Sequence, residues 1–194
     1  MKQIVLASSS PRRSDLLRQI GISFEVVVPD VDESRYSFEV DPAGTGERLA
    51  LAKARSVAGR VEGRGSLILG ADTVVLFEGQ VLGKPVDADD ACAMLNKLTG
   101  RSHRVLTAFA LVEAGTDRLV TGHEWTTVSM RACSDVEIRA YVDTGEPLDK
   151  AGSYGAHALG AGLITRVEGC FYNVIGLPLA RLLITLDHFD DLAT

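Results

Sequence analysis

The sequence contains few cysteines, and their arrangement indicates neither a disulfide framework nor a zinc site. Cys92, Cys133 and Cys170 are its three cysteines in 194 residues; they lie far apart, and no C-x-x-C pair occurs. Disulfide-rich secreted domains and zinc-binding domains both need closely spaced cysteines. The absence of such pairs argues against both classes and favours a reducing compartment. We therefore expect a cytoplasmic protein.

Long apolar runs are also missing from the chain. No run approaches the roughly 18 consecutive apolar residues that a membrane-spanning helix needs. The apolar run near the start of the sequence is too short for a signal peptide, and Arg12 and Arg13 follow it closely. The sequence therefore predicts no association with a membrane.

An excess of positive charge is the third feature that the chain lacks. It has 20 lysines and arginines against 26 aspartates and glutamates, a formal net charge of −6. Proteins that coat nucleic acid neutralise phosphates with a basic surface, so we do not expect nucleic acid as a partner. The remaining composition, 46% hydrophobic and 24% charged, is that of an ordinary globular protein. The length predicts one domain over residues 1–194, with two lobes around a cleft.

Three common catalytic patterns do not occur in the sequence. There is no G-x-x-x-x-G-K-[ST], which argues against P-loop kinases and GTPases. There is also no G-x-S-x-G and no spaced group of histidines, the patterns of α/β-hydrolases and zinc hydrolases.

The first informative stretch present is the hydroxyl-rich segment from Ser8 to Arg13. An apolar run before it predicts a strand, Ser10 is expected to cap a helix with Pro11 at its first position, and Gly21 is expected to end that helix. A helix N-terminus attracts anions, and Arg12 and Arg13 can bind phosphate oxygens. An ordinary solvated helix face is the alternative. Two arginines in a first turn oppose the helix dipole by about 0.3–1 kcal/mol each, so both interpretations stay open.

Asp72 is the only charged residue between Ser66 and Phe77, a segment that predicts a buried strand. A buried carboxylate is costly unless it is hydrogen-bonded, paired, metal-bound or protonated. Gly70, two residues earlier, indicates a bulge or a close approach of another backbone. The alternative is an aspartate that only caps a turn.

Three further charged positions have two interpretations each. Lys53 falls beside the apolar stripe of a predicted helix from Pro42 to about residue 60, so its side chain either snorkels to solvent or faces a counter-charge. Glu33 ends a loop with three carboxylates, which is either an acidic surface or a source of ligands for a hard cation. Lys84 stands between a glycine and a proline after a predicted hairpin turn, on a constrained loop.

The second half of the chain indicates architecture more than chemistry. Asp87 and Ser134 are expected to cap helices, and two long strands are predicted between them. A polar, glycine-rich loop over residues 146–157 would suit recognition of a planar ligand. We also predict a hairpin across Glu168-Gly169, followed by a C-terminal helix.

These residues together resemble the Maf family of nucleoside triphosphate pyrophosphatases, over essentially the whole chain. Five blocks match its motifs in order: Ser8 to Arg13 as S-x-S-P-R-R, Gly70 to Thr73 as G-A-D-T, Gly83 to Pro85 as G-K-P, Asp149 to Gly152 as D-K-A-G, and Asn173 to Pro178. Several blocks in register are far more specific than any one of them.

The resemblance implies an α/β fold with a mixed, strongly bent sheet flanked by helices and a central cleft, similar to the inosine triphosphatase fold. It implies hydrolysis of a nucleoside triphosphate to the monophosphate and pyrophosphate with a divalent metal cation, Mg²⁺ or Mn²⁺, and it leaves a homodimer open. Asp72 would be the base and a metal ligand, and Glu33 would share the metal. The implied substrate-binding residues are Ser8, Arg12, Arg13, Lys53, Thr73, Lys84, Lys150 and His157.

The base preference that the resemblance implies is dTTP and UTP, because Asp149 to Gly152 is similar to that branch of the family. That branch usually continues with Tyr-Gly-Ile-Gln-Gly, but this sequence has His157 where the glutamine stands. Neutral histidine, like glutamine, can donate and accept a hydrogen bond, with a different reach. A preference for CTP or 7-methyl-GTP, and a non-catalytic nucleotide-binding regulator, are the alternatives.

Overall fold

A computed structural model describes residues 2–61 and 65–189 of the chain. Within these residues one mixed sheet has the strand order β2-β1-β3-β5-β6-β7, and β4 pairs with β3. The predicted α/β class with a mixed sheet and flanking helices is confirmed. The strands are β1 (Ile4–Ala7), β2 (Phe24–Val26), β3 (Leu67–Phe77), β4 (Gln80–Leu82), β5 (Ser102–Glu113), β6 (Leu119–Met130) and β7 (Ile164–Glu168), and the α-helices are α1 (Pro11–Gln19), α2 (Pro42–Ala58), α3 (Ala88–Leu98), α4 (Asp135–Val142), α5 (Phe171–Ile175) and α6 (Leu179–Asp187).

The chain divides into two compact units. The first unit comprises Met1–Asp72, Thr107–Glu124 and Gly176–Thr194, and the second comprises Thr73–Leu106 and Trp125–Ile175. Because the boundaries fall within β3, β5 and β6, each of these strands contributes residues to both units.

In the first unit β1 pairs in parallel with β2 on one side and with β3 on the other. Parallel strands need crossover connections, and α1 and α2 occupy the two chain segments that link them. The apolar face of α2 provides Ala50, Ala54 and Val57 to a core that also contains Val5 and Ile68. All five side chains are fully buried, which fixes α2 against the sheet.

The helix starts agree with the capping residues that the sequence contains. Ser10 precedes α1 with Pro11 at its first position, and no side chain caps this helix. The Asp41 carboxylate accepts a hydrogen bond from the Gly44 amide at the start of α2. Ser134 forms a complete capping box with Glu137 at the start of α4. The three predicted helix starts are confirmed because each depends only on residues within one helical turn. Ser10 occupies the N-cap position as predicted, but its side chain does not form the expected capping hydrogen bond.

The second unit has its own apolar core, in which α3 and α4 pack against the sheet. Leu95, Ile138 and Tyr141 of the helices meet Val105 and Val128 of the strands there. The glycine-rich segment after α4 forms three short 3-10 helices, Glu146–Asp149, Ala151–Ser153 and Leu159–Leu163.

The hairpin predicted across Glu168-Gly169 is wrong. β7 pairs antiparallel with β6, and after Gly169 the chain enters helix α5 instead of another strand. The cause is Asn173, which is fully buried and whose amide donates hydrogen bonds to the Val105 carbonyl and the Thr126 hydroxyl. Separately, the described residues contain no helix that is both long and apolar enough to cross a membrane.

Candidate functional site

Lys53 is the centre of the charged cluster in the first unit. Its Nζ lies 2.7 Å from an oxygen of Asp72 and 2.8 Å from an oxygen of Glu33. The Lys53 and Asp72 side chains are only 8% and 12% exposed, whereas that of Glu33 is 61% exposed. Of the two interpretations of Lys53, the one with a counter-charge is therefore confirmed. Asp72 is ion-paired, one of the states that its burial requires.

Close packing of α2 on β3 brings Lys53 to Asp72. A Cβ at Gly70 would overlap the carbonyl oxygen of Ala50 and contact the backbone nitrogen of Ala54. Only glycine lets the helix approach the strand so closely. Lys53 precedes Ala54 on the helix and Asp72 follows two residues after Gly70, so this contact sets the distance between the two charges. The close approach predicted at Gly70 is confirmed.

Glu33 reaches Lys53 from a short 3-10 helix, Glu33–Arg35. Asp32 caps this turn, because its carboxylate accepts hydrogen bonds from the amide and hydroxyl of Ser34. These bonds lower the pKa of Asp32 despite its exposure. The acidic loop thus has two functions: Asp32 shapes the turn, and Glu33 joins the cluster.

A second group in the same unit forms where β1 ends and α1 begins. The Ser8 hydroxyl accepts hydrogen bonds from the Ser10 amide and from Nη1 of Arg13, at 3.1 and 3.2 Å. The Nε of Arg13 donates to the Gly176 carbonyl at 3.0 Å. Arg13 is buried and Arg12 is half-buried, so the solvated face that was one alternative for this arginine pair is wrong.

The charges of these two groups act on one another. Burial lowers the pKa of the Arg13 guanidinium, and the nearby charge of Arg12 lowers it further. The carboxylates of Asp72 and Glu33 oppose both effects. Arginine stays protonated throughout the physiological range, so the first unit contains a buried cation beside two carboxylates and an uncapped helix N-terminus.

Four predicted site residues belong to the second unit, where the structure joins two of their loops. Lys84 is exposed two residues after β4, and the Gly83 carbonyl before it accepts a hydrogen bond from the Gly152 amide at 3.0 Å. The Lys150 ammonium donates to Asp149 and to the Glu146 carbonyl, both at 2.6 Å. Thr73 lies half-buried in β3, and His157 is exposed in the glycine-rich segment.

Three residues that form hydrogen bonds with the predicted site residues or their loops were not predicted from the sequence. The Gly176 carbonyl binds Arg13, and Gly176 has φ of +137°, a backbone conformation that favours glycine. Glu146 and Tyr141 form hydrogen bonds within the glycine-rich segment. The sequence signal was weak in each case: a glycine before Leu-Pro, a glutamate before a proline, and a tyrosine on an amphipathic helix.

The carboxylates of Glu33 and Asp72 fit a hard divalent cation. Both converge on one ammonium group, which shows that this position favours a positive charge. Mg²⁺ and Mn²⁺ prefer oxygen ligands, and Mg²⁺ typically binds through one or two carboxylates plus waters and substrate phosphates. The described part of the chain has no group of three or more His, Cys, Asp or Glu side chains that could hold a metal. A site here would thus need the substrate's own oxygens.

Comparison with known families identifies the chain. The sequence model of the family described as "Maf-like protein" matches residues 3–189. The chain belongs to the Maf family. This confirms the resemblance seen in the five sequence blocks.

Several curated members of the family are similar to this chain over nearly its whole length. A protein named dTTP/UTP pyrophosphatase from Symbiobacterium thermophilum is 52% identical over 189 residues, covering 97% of this chain and 95% of that protein. A protein of the same name from Pelotomaculum thermopropionicum is 47% identical, covering 97% of this chain and 97% of that protein. Another from Acetivibrio thermocellus is 48% identical, covering 97% of this chain and 96% of that protein.

Two solved structures that match this chain are more distant in sequence. A nucleoside-triphosphatase described as a dITP/XTP pyrophosphatase from Mycobacterium abscessus has a TM-score of 0.43 at 16% identity, over 95% of this chain and 93% of that one. The Ham1 protein of Staphylococcus aureus has a TM-score of 0.42 at 16% identity, over 66% and 72% of the two chains.

Proposed function

We propose that this Maf protein hydrolyses nucleoside triphosphates, with dTTP and UTP preferred, to the monophosphate and pyrophosphate. Water breaks the anhydride between the α- and β-phosphates, so the pyrophosphate leaves intact. The observation that best supports the proposal is the buried Lys53 ammonium between Asp72 and Glu33, beside the buried Arg13. The names of curated relatives up to 52% identical support the choice of substrate.

The cations of the first unit bind the triphosphate. Arg12, Arg13 and the backbone amides at the start of α1 supply donors and positive charge to phosphate oxygens. Ser8 accepts two hydrogen bonds, which leaves its hydroxyl proton to donate to a third acceptor. Lys53 adds a further cation of the first unit, and Lys84 adds one of the second unit. A triphosphate has about four negative charges at neutral pH, so a locally positive site compensates for the acidic molecule as a whole.

Asp72 is the base that orients and deprotonates the attacking water. Its ion pair with Lys53 fixes the position of the carboxylate, and a positioned base typically contributes about 10²–10⁴-fold to the rate. When bound to Glu33 and Asp72, a divalent cation would neutralise charge on the phosphate oxygens. In the second unit Thr73, Lys150 and His157 contact the nucleoside, with His157 at the pyrimidine edge.

The proposal also covers the cellular compartment, the kind of binding partner and the assembly. The three cysteines are free thiols, which is consistent with a reducing cytoplasm. The acidic net charge favours a small-molecule substrate and not nucleic acid. We keep a homodimer as the proposed assembly.

The first test is pyrophosphate release from dTTP, UTP, CTP, the purine triphosphates and 7-methyl-GTP, with Mg²⁺ and with EDTA. We expect Mg²⁺-dependent release, fastest with dTTP and UTP. The Asp72→Asn variant should keep the fold and lose most turnover, by about 10²-fold or more. Circular dichroism and the melting temperature monitor the fold.

The controls separate the parts of the proposal. If pyrophosphate release is fastest with a triphosphate other than dTTP or UTP, the proposed reaction stands and only the base preference is overturned. His157→Gln is then the first variant to test. Asp72→Asn turnover above a tenth of the parent rate would overturn the role of Asp72. Tight binding of triphosphates without release would instead support the nucleotide-binding regulator.

A further inference from the structure

Glu146 is the centre of a hydrogen-bond hub that closes the segment after α4 into a loop. Its Oε1 accepts from the Tyr141 hydroxyl at 2.8 Å and from the Gly160 amide at 3.0 Å, and its Oε2 accepts from the Leu159 amide at 2.9 Å. Its main-chain carbonyl accepts from the Lys150 ammonium at 2.6 Å. One residue therefore holds both ends of the segment 150–160.

The hydrogen bonds of the hub fix the backbone on both sides of His157. The Tyr141 hydroxyl, while donating to Glu146, accepts a hydrogen bond from the Gly155 amide at 3.1 Å. The backbone is thus fixed two residues before His157, at Gly155, and two residues after it, at Leu159. His157 itself is exposed at the tip between these two anchors.

The glycines of the segment allow this close packing. A Cβ at Gly155 would lie 2.9 Å from Oε1 of Glu146 and 2.9 Å from Cε of Lys150. A Cβ at Gly160 would lie 2.5 Å from the Tyr141 hydroxyl and 2.8 Å from the Gly155 amide nitrogen. A side chain at Gly160 would meet the backbone of Gly155, and one at Gly155 would displace the side chains of Glu146 and Lys150, so both glycines allow this close packing.

The charged form of Glu146 stabilises the hub. Burial alone would raise the pKa of this carboxyl, but the Gly160 amide, the Tyr141 hydroxyl, the Leu159 amide and the Lys150 charge together lower it below its ordinary value. Tyr141 is buried in the core that α4 forms with the sheet, which gives the hub a rigid base.

We propose that Glu146, together with Tyr141, is a positioning residue for nucleobase recognition: it holds Lys150 and His157 in the geometry that selects the base. The inference rests on the proposed function, because Lys150 and His157 are its nucleoside-binding residues. Glu146 acts through the loop and contacts no substrate. Its loss should weaken binding of the nucleoside and leave binding of the triphosphate moiety unchanged. The hydrogen bonds that Glu146 accepts come from Tyr141, Lys150, Leu159 and Gly160, none of which is a proposed triphosphate ligand.

The test compares Glu146→Gln and Tyr141→Phe with the parent enzyme. Glutamine keeps the shape of Glu146 but turns an N–H toward backbone N–H groups, which loses at least one charge-assisted bond. We expect KM for dTTP to rise about tenfold in Glu146→Gln, with kcat within about threefold of the parent. The preference for dTTP over CTP should fall, and the inhibition constant of inorganic tripolyphosphate, which has no base, should stay unchanged.

Glu137→Gln is the matched control. Glu137 is also a hydrogen-bonded carboxylate of the second unit, which accepts from the Ser134 amide and hydroxyl and from Arg131, but it forms part of the helix cap and not of the loop. This variant should melt at a lower temperature with KM and base preference unchanged. Amide hydrogen exchange at residues 155–160 should accelerate in Glu146→Gln and Tyr141→Phe but not in Glu137→Gln.

The outcomes separate the inference from the proposed function. Unchanged KM and base preference in Glu146→Gln, or an equal loss for dTTP and tripolyphosphate, would overturn the positioning role. Absence of turnover by the parent protein would instead overturn the proposed activity. In that case titration calorimetry compares the affinities of the parent and Glu146→Gln for dTTP and for tripolyphosphate. A loss of affinity for dTTP alone supports the positioning role of Glu146, and any other result overturns it.

Discussion

At the scale of single residues, one buried ion pair and one buried hydrogen bond have the clearest consequences: Lys53–Asp72 and His103–Tyr154. Lys53 and Asp72 lie 2.7 Å apart with little exposure. His103 is 3% exposed, and its Nε2 forms a 2.7 Å hydrogen bond with the Tyr154 hydroxyl. In both cases burial makes the partner essential, because a buried polar group without one is costly.

Lys53→Met should destabilise the protein by roughly 3 kcal/mol, because it leaves the Asp72 charge buried without its partner. The double variant Lys53→Met/Asp72→Asn should recover much of this loss, since both charges are then removed. Turnover should be low in both. Urea denaturation of the parent, Lys53→Met, Asp72→Asn and the double variant gives the coupling energy between the two residues. A double variant whose loss equals the sum of the single losses would contradict the pairing.

The stability contribution of His103 should depend on pH. Burial lowers the pKa of His103 from 6.5 to about 4. Between these two values the unfolded chain binds a proton at His103 and the native protein does not. The free energy of unfolding should therefore fall as pH drops from 6.5 toward 4, by roughly 3 kcal/mol in total.

The measurement is urea denaturation at several pH values between 7 and 4.5 for the parent and for His103→Gln. The parent should be the more stable at pH 7, and its advantage should shrink as the solution is acidified. His188→Gln, at an exposed histidine, is the control and should follow the parent. An advantage that stays constant with pH would show that His103 does not titrate as described.

At the scale of elements, the approach of α2 to β3 decides whether the charged cluster forms. Gly70 is the contact point, and the apolar side of the helix is buried around it. The sequence predicted this feature because a glycine two residues before a lone aspartate stands out in an otherwise bulky apolar strand.

Gly70→Ala should destabilise the protein by about 1–3 kcal/mol, because its Cβ overlaps the Ala50 carbonyl and the helix must move. That movement separates Lys53 from Asp72, so turnover should fall as well. Gly59→Ala is the matched control: it lies at the C-terminal end of the same helix with φ of −73°, and a Cβ there meets nothing within 4 Å. Equal stability and turnover of the two variants by urea denaturation and pyrophosphate release would contradict this account.

The limits of sequence-based prediction also appear at this scale. Helix starts at Pro11, Pro42 and Ala88 were predicted because the capping residue and the helix are adjacent in sequence. The bond from Arg13 to the Gly176 carbonyl joins residues 163 positions apart, and no local pattern indicates it. The predicted hairpin at Gly169 failed for the same reason, because the partners of Asn173 lie far back in the chain.

At the scale of the whole molecule, the division into two units raises the question of whether they unfold separately. The unit boundaries fall within β3, β5 and β6, so each of these strands contributes to both cores. Separate unfolding would require breaking three strands in their middle. The predicted single domain over residues 1–194 therefore implies one cooperative transition.

Differential scanning calorimetry should show one peak, with equal calorimetric and van't Hoff enthalpies. Inorganic tripolyphosphate provides the sharper test, because four of its five proposed ligands, Ser8, Arg12, Arg13 and Lys53, belong to the first unit and only Lys84 belongs to the second. At a hundred times its dissociation constant it should add about 2.7 kcal/mol to the stability of the native state. That corresponds to a rise of about 5–10 °C in the melting temperature of a chain of this size. If the units unfold together, the whole peak shifts, although most of the proposed ligands belong to one unit. A peak that splits, with only one component moving, would show two independently folding domains.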